Sequence, residues 1–252
     1  MCVNESLGSL DWSLEHSGFE RTLPRDKALQ VAAIADGRRM AHLERILVIG
    51  IGGSALGTRA VWRALAAPEH QDRLVVLDDL DDQAVERALA GQTGASTGLY
   101  VVSRSGTTLE PLALLREVLA RITPAQATLI TATENTELHR YALNNNWKVL
   151  PIPNDVGGRF SVFTPVGLAP LTAAGIDVQP LLMGARSADP SLARVLAANC
   201  AALIASGRRS MTQMVYGARL TLLGAWWVQL LGESLGKAGR GFLPNVAEGP
   251  KD

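Results

Sequence analysis

"ILVIGIGGSALG", Ile46 to Gly57, runs from an apolar, β-branched stretch into a glycine cluster and on into residues of helical spacing. A short apolar run closed by glycines reads as a buried strand. A glycine-rich turn between such a strand and a helix suits an anion. Its backbone N–H groups can approach closely, and the helix N-terminus adds partial positive charge. The same unit recurs downstream. "RLVVLDD" precedes helical "DQAVERALA", "GLYVVSRS" precedes "LEPLALLREVLARI", "ATLITATE" precedes "TELHRYALNNN", and "KVLPIP" closes the series. Strands that alternate with helices, each one a continuous apolar run, imply an α/β fold: a five-stranded, parallel, doubly wound sheet covered on both faces.

After Pro153 the pattern changes. "NDVGGRF" reads as a polar, glycine-rich loop, and "SVFTPVGLAPLTAAGI" as a helix with Pro165 in its first turn. Helical stretches follow at "VQPLLMGARSA", "PSLARVLAANCAALIASGRR" and "ARLTLLGAWWVQLLGESLGK", the second starting at Asp189-Pro190. "SMTQMVYG" and the piece within "GRGFLPNVAEGPKD" are strand-like. The expected organisation is a helical segment over 1–42 packed on the first sheet, an α/β domain over 43–188, and the helical start of a second, incomplete α/β domain over 189–252.

The bulk numbers narrow the function. The 252 residues are 47% hydrophobic and 19% charged, enough for a substantial core. Lys+Arg and Asp+Glu both number 24, which argues against bulk electrostatic binding of nucleic acid. Two cysteines, Cys2 and Cys200, suit reduced thiols rather than a disulfide framework or a thiolate metal site. The four histidines show no ligand spacing, so no metal is expected. The N-terminus has no signal-peptide character, and "LTLLGAWWVQLLG" is too short to span a bilayer. A soluble, cytoplasmic protein is expected.

Two loops could hold a phosphate. On the first strand stand Gly50, Gly52, Gly53 and Ser54; on the third, "VVSRSGTTLE" supplies Ser103, Arg104, Ser105, Thr107 and Thr108. No Gly-Lys-Ser/Thr follows the first loop, so it is not a P-loop. It loosely fits a dinucleotide fingerprint, with Asp78 or Asp79 as the ribose acid. In a flavodoxin-like 2-1-3-4-5 order, however, strands one and three are neighbours at the reversal, and their loops face one crevice. Two converging donor loops suit a compact dianion, whereas a dinucleotide would not need the second. The plain alternative for that loop is helix capping through a Thr107-x-x-Glu110 box, which is compatible with anion binding.

"GIGGSALG", "SRSGTTLEP", "DVGGRFSVFTPVGL" and "WWVQLLGESLGK" occur in the order found in the glucose-6-phosphate isomerase (phosphoglucose isomerase) family, built from sugar isomerase (SIS) domains. The resemblance covers about Leu43 to Asp252. It implies interconversion of glucose 6-phosphate and fructose 6-phosphate in glycolysis and gluconeogenesis, with no cofactor, and a homodimer. By similarity Ser54, Ser103, Ser105 and Thr108 hold the 6-phosphate, with backbone help from Gly53, Arg104 and Thr107. Arg104 stands where many members carry lysine, which keeps the charge and changes the donor geometry. Gly158 and Arg159 are placed beside the reacting carbons, and Gln229 and Glu233 on the helix of the catalytic base.

These residue types suit the chemistry. Aldose–ketose isomerisation moves one proton between neighbouring carbons, which a single carboxylate can shuttle. Glu233 near the end of a mainly apolar helix opposes the helix dipole, and burial would strengthen it as a base. Gln229 lies one turn earlier, on the face shared by positions 226, 229/230 and 233. A cation such as Arg159 would stabilise the enediolate oxygen. The plainer alternatives are a solvent-facing glutamate ahead of Gly236 and Lys237, and an arginine paired with a surface acid. A ring-opening histidine and a lysine near the usual C-terminus of the family have no counterparts here. The expectation is therefore a truncated chain that binds sugar phosphate and turns over poorly alone. A non-catalytic sugar-phosphate-binding module and a nicotinamide dehydrogenase are the competing readings.

Overall fold

The computed structural model describes residues 27–235 and 241–249. The remainder of the expected N-terminal helical segment, and Gly236 and Lys237, lie outside the described residues. The five expected strands form one parallel sheet: β1 (Arg45–Ile49), β2 (Leu74–Leu77), β3 (Thr97–Val102), β4 (Gln126–Thr131) and β5 (Lys148–Pro151). The order is β2-β1-β3-β4-β5, with every neighbouring pair parallel. The chain reverses direction across the sheet between β1 and β3, so the loops after these two strands open on one crevice.

Alternate residues of each strand feed two apolar cores. Ile46, Val48, Tyr100, Val102 and Ile130 face one, closed by α1 (Lys27–Met40), α2 (Leu56–Leu65), α6 (Pro165–Ala173) and α7 (Val178–Ser187). Leu47, Ile49, Leu99, Val101 and Leu129 face the other, under α3 (Asp82–Leu89), α4 (Leu109–Arg121) and α5 (Glu137–Asn144). Both faces are buried, which is why the strands carry no polar alternation. Each fully buried Leu or Ile contributes about 1.5–3 kcal/mol.

Helix α1 crosses α6 closely. A methyl at Gly37 would stand 2.6 Å from the Ala169 carbonyl oxygen, so glycine permits the approach. One residue earlier, Asp36 is fully buried, ion-paired to Arg39 at 2.9 Å, and accepts from the Thr128 hydroxyl at 2.9 Å. Arg39 also donates to Gln126 at 2.6 Å, tying α1 to the edge of β4.

The later helices fall where the pattern puts them. Pro165 opens α6 after its Thr164 cap, and Asp189 caps α8 (Pro190–Ala205) through Ser191 N. "NDVGGRF" differs from the expected loop, since residues Gly158–Phe163 wind into a 3-10 helix. Strands β6 (Ser210–Val215) and β7 (Leu243–Glu248) pair in parallel as a second, two-stranded sheet, with α9 (Thr221–Leu235) between them in sequence. Helix α9 is pinned on two sides. Gly224 packs against Val215 and Val246 of that sheet, and Trp226 lies against Gly57 of α2, where a methyl would stand 3.3 Å from the ring.

Candidate active site

The β3–α4 turn is built around Gly106. Its φ of +67° suits glycine, and a methyl there would stand 2.6 Å from the Thr136 hydroxyl. Its N–H donates to the Ser103 carbonyl at 3.2 Å and the Ser103 hydroxyl at 3.1 Å. The Arg104 carbonyl accepts from Ala132 N at 3.0 Å and the Thr133 hydroxyl at 3.2 Å, fixing the turn to the end of β4. The Arg104 guanidinium donates to the Asn154 carbonyl, spanning towards the segment after β5.

Ser105 Oγ lies 3.2 Å from Thr108 Oγ1 and accepts from Thr107 N at 3.2 Å. Thr108, not Thr107, is the N-cap of α4, and its hydroxyl makes no capping bond. The alternative reading of a Thr107-x-x-Glu110 capping box is therefore not met. The turn satisfies itself through Ser103 and Ser105 rather than through the helix.

Ser54, Ser103, Arg104, Ser105 and Thr108 line one cavity of about 350 Å³, with Thr133 and Asn154 at its wall. The two expected donor loops thus converge. Thr107 stands exposed outside that lining and donates to Ser105 Oγ at 3.1 Å. Just past β2, Asp78 is engaged by Arg59 at 2.5 Å, so one of the two carboxylates suggested for a ribose already serves an ion pair, and the other, Asp79, accepts from Asp81 N at 3.2 Å.

A second cluster adjoins the first through the glycine turn. A methyl at Gly53 would collide with Arg159 N and stand 2.7 Å from the Gly158 carbonyl carbon. Backbone meets backbone there, which only a glycine allows. A methyl at Gly158 would stand 3.5 Å from Ser54 N and 3.6 Å from Ser54 Oγ, so Ser54 touches both clusters. Gly52, at φ +57°, faces Gln229, whose Nε2 would lie 3.4 Å from an added methyl.

Arg159 and Glu233 meet directly. Arg159 Nη1 donates to Glu233 Oε2 at 3.0 Å, Nη2 to the Glu233 carbonyl at 3.3 Å, and Nε to the Ser234 hydroxyl at 3.0 Å. Gln229 Nε2 donates to Glu233 Oε1 at 3.1 Å, one helical turn away as the spacing requires. The guanidinium carbon lies 5.1 Å from the Phe160 ring centroid, within cation–π range. Trp226 Nε1 donates to the Arg159 carbonyl at 3.0 Å.

Glu233 is not buried, and the solvent-facing alternative describes its exposure. Its side chain is 53% exposed, because the face of α9 that carries it opens beside the arginine turn rather than into the core. Ser234, Trp226, Thr133 and Asn154 were not anticipated as site residues. A serine inside an apolar helix and a tryptophan on its face carry no local mark of such a role. Among the described residues no group of His, Cys, Asp or Glu is arranged to hold a metal, and no helix is long and apolar enough to cross a membrane.

A hydroxyl-lined cavity at the switch point of a five-stranded parallel sheet is the arrangement of the sugar isomerase domain. Solved sugar isomerases share the fold. The TM-score is 0.68 to a glucose-6-phosphate isomerase from Chlamydia trachomatis, at 19% identity over 91% of this chain and 53% of that one. It is 0.57 to a tagatose-6-phosphate ketose/aldose isomerase from Escherichia coli, at 19% identity over 92% of this chain and 64% of that one. The family model described as phosphoglucose isomerase matches residues 29–238, and the chain belongs to that family. A probable glucose-6-phosphate isomerase of Haloarcula marismortui is 39% identical over 226 residues, 84% of this chain and 51% of the relative. A glucose-6-phosphate isomerase of Methanocaldococcus jannaschii is 34% identical over 221 residues, 83% of this chain and 55% of the relative. The chain spans about half the length of these curated relatives.

Proposed function

We propose that this site interconverts glucose 6-phosphate and fructose 6-phosphate through an enediolate. The observation that carries the reading is the contact of Gly53 with the Gly158–Arg159 backbone, which packs the turn bearing the Arg–Glu pair against Ser54 of the hydroxyl-lined cavity. Ser54, Ser103, Ser105 and Thr108 supply hydroxyls for the phosphate, Arg104 adds charge, and Gly53 and Thr107 add backbone N–H groups. The phosphate is unchanged and serves as a handle that positions the carbons.

Glu233 takes the proton from C2 of the open-chain aldose. The electron pair of that C–H bond forms the C1–C2 double bond, and the aldehyde oxygen gains the charge. Arg159, with Gly158 close to the reacting end, stabilises that oxygen, a contribution of a few kcal/mol in comparable oxyanion sites. The O2 hydroxyl proton passes to O1, and Glu233 returns its own proton to C1, leaving the ketone at C2. Hydrogen leaves and returns as a proton, so the reaction needs no redox cofactor. Gln229 keeps the carboxylate facing the substrate. We further propose that residues 43–188 form the sugar isomerase domain and 189–252 part of a second, and that the protein works in the cytoplasm as a homodimer, with no nucleic-acid partner.

The test is a partial reaction. Calorimetry should show fructose 6-phosphate binding to the purified chain, and proton NMR in deuterium oxide should show deuterium entering C1. Glu233→Gln should keep the binding and lose the exchange. Binding without any exchange in the unsubstituted chain would favour a non-catalytic sugar-phosphate module. A melting shift with NAD and none with sugar phosphate would end the isomerase reading.

A further inference from the structure

We propose that Ser234 is the positioning residue for Arg159, holding the guanidinium in place while Glu233 carries the substrate's proton. This rests on the isomerase reading above. A guanidinium has five N–H donors in a fixed plane. Arg159 gives one from Nη1 to the Glu233 carboxylate, one from Nη2 to the Glu233 carbonyl, and its Nε–H to Ser234 Oγ at 3.0 Å. Two N–H groups remain without a partner among the described residues, and these are the ones an enediolate oxygen can use.

The ion pair cannot hold that plane throughout the reaction. Once Glu233 has taken the proton it is neutral, and its attraction for Arg159 falls when charge develops on the substrate oxygen. The other contacts do not depend on that charge. Ser234 accepts the Nε–H as a neutral hydroxyl, Phe160 presents its ring to the guanidinium carbon at 5.1 Å, and Trp226 holds the Arg159 carbonyl at 3.0 Å. Of these side chains, Ser234 alone bonds a guanidinium N–H, and together with the neutral Glu233 backbone carbonyl on Nη2 it fixes the orientation of the remaining donors. Its place next to Glu233 on α9 makes base and cation move as one unit.

The test compares two ligands on the 252-residue chain: inorganic phosphate, and a five-carbon phosphorylated hydroxamic acid that mimics the enediolate. Ser234→Ala should weaken the hydroxamate about tenfold, the loss of one charge-assisted hydrogen bond, and leave phosphate affinity unchanged. Ser234→Thr, which keeps the hydroxyl, should restore it. In a Glu233→Gln background, which imitates the protonated base, the effect of Ser234→Ala should be larger. A merely structural serine would weaken both ligands together and show no dependence on Glu233. That result, or unchanged hydroxamate affinity, overturns the assignment.

A measurement on the unsubstituted chain supplements these variants. The Arg159 Nε–H proton, identified by its disappearance in Arg159→Lys, should exchange with water more slowly than those of exposed arginines. Fast exchange overturns the bond itself. If the unsubstituted chain binds neither ligand, the sugar-phosphate reading fails and this role fails with it. If it binds both and Ser234→Ala changes nothing, only this role fails.

Discussion

Replacing Gly53 by alanine tests whether the glycine turn after β1 and the arginine turn meet backbone to backbone. The added methyl would stand 2.7 Å from the Gly158 carbonyl carbon and 2.9 Å from Arg159 Cα. Carbon atoms at rest sit about 3.5–4.0 Å apart, so the turns must separate by about 1 Å. No flexible side-chain end can yield instead, since both neighbours are main chain. Overpacking of this kind costs about 1–3 kcal/mol, or roughly 2–4 °C of melting temperature per kcal/mol in a chain of this size. The functional effect should be larger. A displacement of about 1 Å in a positioning element costs on the order of 100-fold in rate, and Arg159 rides on the displaced turn. Inorganic phosphate binding should largely survive, because Ser103, Ser105 and Thr108 lie on the other loop. Differential scanning fluorimetry, phosphate calorimetry and the deuterium exchange assay separate these effects. A variant with unchanged melting temperature and unchanged exchange would refute the contact and the route by which it seats the arginine.

Gly184 is the opposite case. It lies exposed within α7 with nothing within 4 Å of an added methyl, so Gly184→Ala should stabilise by about 0.5–1 kcal/mol, read as a raised urea midpoint. Thr108→Val removes a hydroxyl that caps nothing, so stability should change by less than about 0.5 kcal/mol where a working cap would cost about 1. Its phosphate affinity should nevertheless fall about five- to tenfold, and the reverse pattern would restore the capping reading. Asp36→Ala breaks a pair whose carboxylate is fully buried and whose arginine is 34% exposed, and should cost about 2–3 kcal/mol by urea denaturation. Burial first, and the neighbouring Asp36 carboxylate second, push the Tyr100 phenol above its ordinary value of 10.0. The folded chain then retains a proton that the unfolded chain releases. Stability should fall as pH rises above about 10, and Tyr100→Phe should flatten that fall in urea titrations between pH 9 and 11.

The sheet was legible because its signals are local. Each strand is one apolar run bounded by turn residues, and burial on both faces removes the polar alternation that would have marked an antiparallel sheet. The order of strands one and three followed from the fold class, and with it the facing of the Ser54 and Ser103–Thr108 loops. Helix starts at Pro165 and Asp189-Pro190 were equally readable, since proline at the first helical position and an aspartate cap announce themselves in adjacent residues. The 3-10 winding of Gly158–Phe163 was not, because "GGRF" has the composition of a loop and its packing partner, Gly53, lies far back in the chain.

The candidate site was legible in the spacing of its residues along each element and illegible in the couplings between elements. Gln229 and Glu233 met as helical spacing requires. Arg159 lies 74 residues from Glu233, and no periodicity connects them. The exposure of Glu233 was undecided in the sequence for the same reason. Helix α9 is apolar around its circumference, which ordinarily marks a helix enclosed on all sides. Here only Gly224 is buried, and the face bearing Trp226, Gln229 and Glu233 lies along the glycine and arginine turns. Its apolar residues are therefore not all core. Trp226 spends its indole N–H on the Arg159 carbonyl while its ring packs on Gly57, joining α2, the arginine turn and α9. Hydrophobicity reports how strongly a side chain avoids water, but not whether its neighbour is a core or the wall of a site. In α9 that distinction is made by residues more than 60 positions away.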